Sequence, residues 1–147
     1  MRSSVEIFDL AARQHRVVWQ TETLFEAPNW SPCGRYLLLN SDGLMYRLAV
    51  DGTRPEPLDT GFARQCNNDH GISPDGSLIA ISDKAEFAKS AIYVLPATGG
   101  EPRLVTRNLP SYWHGWSPDG RQFAYCGIRD DLFDIYTITW TAATRTG

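Results

Sequence analysis

Apolar residues along this chain come in short runs bounded by polar turns, and the runs recur in phase. Arg35-Tyr36-Leu37-Leu38-Leu39-Asn40, Ser77-Leu78-Ile79-Ala80-Ile81-Ser82 and Arg121-Gln122-Phe123-Ala124-Tyr125-Cys126 are apolar on both faces. That is the pattern of a strand covered on two sides. Each run follows the same six-residue signal: Asn29-Trp30-Ser31-Pro32-Cys33-Gly34, Gly71-Ile72-Ser73-Pro74-Asp75-Gly76 and Gly115-Trp116-Ser117-Pro118-Asp119-Gly120. The three serines lie 42 and 44 residues apart. Each hexapeptide reads as a turn: Pro presets φ for the second position, Ser bonds back from the first, and Gly supplies the left-handed residue that re-enters a strand.

A second strand follows in every unit, at Leu44–Val50, Ala91–Leu95 and Asp134–Ile138, each carrying a tyrosine (Tyr46, Tyr93, Tyr136). Hairpin signals Asp51-Gly52 and Gly99-Gly100 come next, then a polar outer strand ending near Thr60 or Thr106. Val5–Leu10 and Arg16–Trp19 fit the same template late in its cycle. A period of this length with four strands suits a β-propeller blade. The predicted fold is therefore all-β: a partial ring of about three four-stranded blades, with residues 5–20 ending one blade, 24–60 and 66–106 forming two, and 110–138 an incomplete one. Ala80 and Ala124 stand where the first unit has Leu38, so those sheets are expected to approach closely. Asp83–Ser90 breaks the pattern with helix formers and predicts a single helical turn capped by Asp83.

About four to eight blades close a propeller ring. A half-ring would leave apolar sheet faces uncovered, so the isolated chain is expected to self-associate. Past Ile138 the template asks for a turn like Val50-Asp51-Gly52, but the chain reads Thr139-Trp140-Thr141-Ala142-Ala143-Thr144. One extra base before Thr139 would restore an apolar residue followed by an obligatory Asp. The expectation is that a one-base deletion shortened a full propeller and that 139–147 form an irregular, out-of-frame tail.

The hexapeptide, its following strand and the Ile-Tyr strand resemble the TolB-like, WD-type propeller repeat over residues 5 to 138. The resemblance implies a non-catalytic binding or protein-interaction scaffold, with ligands at the mouth of the central channel or on one rim. TolB itself has a secretion signal and an α/β domain ahead of its propeller, whereas the first residues here read directly as propeller strands. Cys33 departs from the Asp of the pattern.

Composition narrows the picture. Across 147 residues, 42% are hydrophobic and 21% charged, which argues against wholesale disorder. A net charge of −3 with no basic run gives no electrostatic footprint for nucleic acid or anionic lipid. No apolar stretch is long enough to span a membrane as a helix, and acids fall where a signal peptide needs its apolar core. Three scattered cysteines (Cys33, Cys66, Cys126) read as reduced thiols. The expected setting is cytoplasmic, with a protein or a small polar or carbohydrate ligand as partner.

His70 and His114 each precede a turn serine by three residues, so the repeat predicts that they stand side by side near the channel. Asn67, Asn68, Asp69, Tyr112 and Trp113 surround them in sequence, a set suited to gripping a polar ligand. Two imidazoles beside a carboxylate can also hold a divalent metal. Propeller lyases acting on uronic-acid oligosaccharides are similar in using channel histidines, which gives the alternative of a metal-assisted carbohydrate-active enzyme with His70 and His114 as ligands. The plainer reading is cross-strand hydrogen bonding; Pro28 at the matching place shows that the turn needs no histidine. Trp30 and Trp116 are expected to pack between blades, and Arg129, Asp130, Asp131 and Asp134 to form a solvated loop. Gly115-Trp116-Ser117-Pro118-Asp119 lacks the second glycine of a nucleophile elbow and joins two strands, which excludes a serine hydrolase.

Overall fold

A computed structural model describes residues 2–52 and 54–140. Four antiparallel sheets follow one another along the chain: β1 (Ser3–Asp9) and β2 (Gln14–Thr21); β3 (Glu26–Trp30), β4 (Tyr36–Ser41), β5 (Leu44–Ala49) and β6 (Glu56–Pro57); β7 (Cys66–Ile72), β8 (Leu78–Asp83), β9 (Ala91–Pro96) and β10 (Arg103–Leu104); and β11 (Ser111–Trp116), β12 (Gln122–Arg129) and β13 (Leu132–Thr139). Within each sheet, neighbours in sequence are neighbours in space. This is the predicted all-β partial ring: two four-stranded blades between a two-stranded and a three-stranded sheet.

The repeated hexapeptide builds each inner hairpin in the same way. Gly34, Gly76 and Gly120 take φ near +70° and donate to the carbonyls of Ser31, Ser73 and Ser117 at 2.8 Å. The serine hydroxyls in turn accept from the amides of Tyr36, Leu78 and Gln122. Ser73 and Ser117 also donate to Asp75 and Asp119 at 2.6 Å, which holds both carboxyls below the usual range. Cys33 replaces that Asp in the first unit, and its bond to Ser31 lowers the exposed thiol to about 7.

Side-chain alternation with period two then sends each inner strand's apolar residues into two separate cores. From β8, Ile79 and Ile81 pack with Leu38, Met45 and Tyr93 toward the preceding blade. Ala80 packs with Ile92, Val94, Trp113, Phe123 and Tyr125 toward the following one. A third core, around Val5, Val18, Leu37, Leu39 and Leu48, joins the first two sheets. The end sheets lack this double cover: Phe8, Leu10, Leu132, Phe133 and Ile135 are all exposed, Ile135 to 73%.

Asp83–Ser90 holds the expected single turn: Ala88 donates to the Lys84 carbonyl at 3.0 Å, and Asp83 caps it by accepting from the Ala85 amide. Two local expectations change. Arg129 is not a solvated loop residue. Its guanidinium donates to the carbonyls of Asn108 and Pro110 and to the Ser111 hydroxyl, stapling the approach to β11, while Asp130 and Asp131 form the tight turn with positive φ. Trp116 packs edge-on against Phe123 and reaches the Gly71 carbonyl on the preceding blade, but Trp30 is 51% exposed, because the sheet before it has only β1 and β2. Of the tail, Thr139 ends β13, and Trp140 is buried, stacking on Phe123. Residues 141–147, on which most of the out-of-frame expectation falls, lie outside the described residues.

Candidate ligand-binding rim

The innermost strand of each blade carries a bulge, and the bulges decide where the candidate residues go. Cys66 pairs with Asp83 and His70 with Ile81, so two extra residues are accommodated in β7. Asn67 fastens this bulge, accepting from the Asp69 amide and donating to its carboxylate, both at 2.9 Å. A bulge of this kind re-aims side chains at the end of a sheet. Asn68 is exposed, and Asn67 and Asp69 are partly so.

His70 is 2% exposed and sits in a chain of hydrogen bonds between blades. Asn29 Nδ2 donates to its Nδ1 at 3.3 Å, and its Nε2–H donates to Asn40 Oδ1 at 3.2 Å. Asn40 donates to Asn68 Oδ1, and Asn68 to Glu26 Oε1. Both ring nitrogens are thereby committed to the neutral Nε2–H tautomer. Burial pushes the imidazole down to about 4.

The expected equivalence of His70 and His114 does not hold. In β11, Trp113 pairs with Tyr125 and Gly115 with Ala124, so His114 is itself the extra residue of the bulge. Tyr125 and Ile81 both lie eight residues after their turn serine, which makes Trp113 the structural counterpart of His70. Trp113 is buried; its amide donates to Ser82 Oγ at 2.9 Å, and its ring covers Gly71. His114 is exposed beside Asp69, whose carboxyl half-burial pushes above the usual range against the pull of His114 and the Asn67 amide. The histidine pair therefore does not offer a shared metal site, and among the described residues no three His, Cys, Asp or Glu side chains gather as ligands.

Two clefts open at successive blade junctions and share Asn67. The first, about 450 Å³, is lined by Glu26, Asn40, Asp42, Asn67, Asn68 and Asp69. The second, about 420 Å³, is lined by Asn67, Lys84, Lys89, Ser90, Pro110 and Tyr112, among others. Glu26, Asn29, Asn40 and the two lysines escaped sequence reasoning. A signal existed for the asparagines: Asn29 and Asn40 are polar where the second unit has small Gly71 and Ser82, and Asn40 closes a Leu-Leu-Leu run.

No family model matches the chain. An uncharacterised protein of Agrobacterium fabrum is 69% identical over 147 residues, covering 99% of this chain and 50% of that protein. A solved structure of a candidate TolB from Agrobacterium tumefaciens is 71% identical with a TM-score of 0.92, over 95% of this chain and 50% of that one. This is part of a TolB-like propeller. The structure of TolB from Acinetobacter baumannii superposes with a TM-score of 0.78 at 17% identity, over 93% of this chain and 35% of its own, and supports the fold alone. The TolB-like chain spans about half the length of the Agrobacterium proteins it matches.

Proposed function

We propose that this TolB-like chain contributes to a non-catalytic binding scaffold, whose recognition surface is the rim formed by the bulges of β7 and β11. One observation carries the reading. The bulges present Asn68, Asp69 and His114 to solvent at the ends of strands whose other residues are locked in two cores, a rigid frame with exchangeable polar groups at its edge. The partner that suits such a rim is a protein segment or a small polar or carbohydrate ligand, held by amide, carboxylate and imidazole groups. Catalysis is the weaker fit, since His70 has no free nitrogen to serve as base or ligand.

Glycan and peptide arrays probed with the intact chain and with an Asn68→Ala, Asp69→Ala, His114→Ala variant test this reading. Binding to a discrete set that the variant loses is the expected result. Equal binding by both proteins, or binding by neither, overturns it.

A further inference from the structure

We infer that the second cleft, at the junction of the middle and last blades, is a binding site for a small anionic molecule bearing a carboxylate or phosphate group. The inference deepens the scaffold reading and rests on it for the general role of the rim, but it concerns different side chains. The cleft is bounded by the start of β7, the end of β8, the β8–β9 connection and the start of β11. Its volume, about 420 Å³, lies within the range that small-molecule sites occupy.

Charge is the first argument. The chain contains 14 basic residues, of which only Lys84 and Lys89 are lysines, and both line this cleft. No Asp or Glu lines it. The neighbouring acids are engaged elsewhere: the buried Asp83 carboxylate accepts from the amides of Gln65 and Ala85, Glu86 accepts from the Tyr93 hydroxyl, and Asp69 accepts from Asn67. Among the described residues neither lysine enters an ion pair. The cleft at the preceding junction has the opposite character, with Glu26, Asp42 and Asp69 and no Lys or Arg. Two otherwise comparable junctions therefore differ in sign, and only one suits an anion.

An unused hydroxyl is the second. Ser90 is 8% exposed and lines the cleft, yet its Oγ is closed off and has no hydrogen-bond partner. A buried polar group left unpaired is destabilising. Its own carbonyl is taken by the Ser111 amide at 2.8 Å, so the wall is fixed while the hydroxyl waits for an acceptor. The connection that carries both lysines is itself constrained: Ala88 takes φ +54°, unusual for a residue with a Cβ, and the Ala88–Lys84 turn holds it there. An anion would find two basic side chains and the half-buried Tyr112 on one preformed surface, with Ser90 in its wall.

The chain's two lysines make the test direct. Trace acetylation of the intact protein, read by mass spectrometry, reports Lys84 and Lys89 separately, with the N-terminal amine as internal reference. Citrate and inorganic phosphate, each at millimolar concentration and matched in ionic strength with chloride, form the two arms. Protection of both lysines by about fivefold in either arm, without change at the N-terminus, is expected and tells carboxylate from phosphate. A Lys84→Ala, Lys89→Ala variant should lose the ligand-induced rise in Tm, and Ser90→Ala should diminish it. Protection equalled by chloride, no protection in either arm, or a double variant that keeps the rise overturns the inference. Array binding lost on changing Asn68, Asp69 and His114, without lysine protection, would remove this site and leave the scaffold reading standing.

Discussion

Two blade junctions solve one geometric problem with opposite chemistry. At the first, the innermost strand presents His70 to a niche made by Asn29 and Asn40, and both imidazole nitrogens are bonded. At the next, the equivalent strand position is Trp113, and the equivalent niche is Gly71 and Ser82. The glycine clears room for an indole that no side chain would allow, and the serine takes the Trp113 amide. The indole Nε1–H is left sealed without a partner, whereas the imidazole is fully satisfied. A repeat thus preserves the shape of a junction while exchanging a hydrogen-bonded core for a packed one. Neither solution leaves a nitrogen free for chemistry, so recognition has to come from the bulged residues just beyond.

The packed junction is the easier one to break. A Cβ on Gly71 would lie 2.2 Å from Trp113 Cη2 and 2.6 Å from Cζ3, inside a core that also holds Phe123 and Tyr125. Gly71→Ala is therefore expected to destabilise the chain by on the order of 3 kcal/mol, the upper end of the usual range for overpacking. At the matching position Asn29→Ala removes one amide donor from His70 and should cost roughly 1 kcal/mol. Urea unfolding of the two variants measures the difference directly. Equal losses would mean that Trp113 has room to move, and that the two niches are less distinct than their geometry.

Sequence periodicity revealed the strand order and the turns because both depend on local rules: a Ser-Pro-x-Gly turn and a two-residue side-chain repeat operate within one hairpin. The candidate residues depend on something else. Counting back three residues from the turn serine equates His70 with His114, but the bulge falls before His70 in one blade and on His114 in the next. A bulge shifts register without leaving a strong mark in composition, so the count fails by one place and carries His114 from the interior to the surface. Trp30 and Trp116 show a different limit. They match in sequence, yet only Trp116 has a complete blade behind it to reach. Lys84 and Lys89 sit in the one segment that breaks the repeat, where the template had nothing to say.

Acid sharpens the comparison next. His70 has a lowered folded-state value, about 4 against an ordinary 6.5, because burial disfavours the imidazolium and both ring nitrogens already have partners. The unfolded chain therefore binds the proton first. The associated stability is fully present above pH 6.5 and is lost as pH falls toward 4, by roughly 3 kcal/mol in total. Unfolding midpoints measured between pH 7 and 4 should show this decline in the parent and in His114→Ala, but not in His70→Gln. A decline that persists in His70→Gln would place the acid-sensitive group elsewhere.

The smallest effect expected is also the most diagnostic. Phenylalanine at position 113 removes the orphaned indole N–H, whose burial costs about 1–3 kcal/mol, while surrendering the contacts of the larger ring, worth a comparable amount. The two contributions oppose each other, so Trp113→Phe should change stability by less than about 1 kcal/mol. The same residue at position 70 has no such offset. His70→Phe strands the Asn29 amide and the Asn40 carbonyl in a closed site, and should cost about 2 kcal/mol or more. Both substitutions place an aromatic ring of one size in equivalent niches, so differences in intrinsic strand preference largely cancel. Should Trp113→Phe prove costly and His70→Phe harmless, the polar junction would be held by its apolar contacts, and the hydrogen-bond chain from Asn29 to Glu26 would be incidental to it.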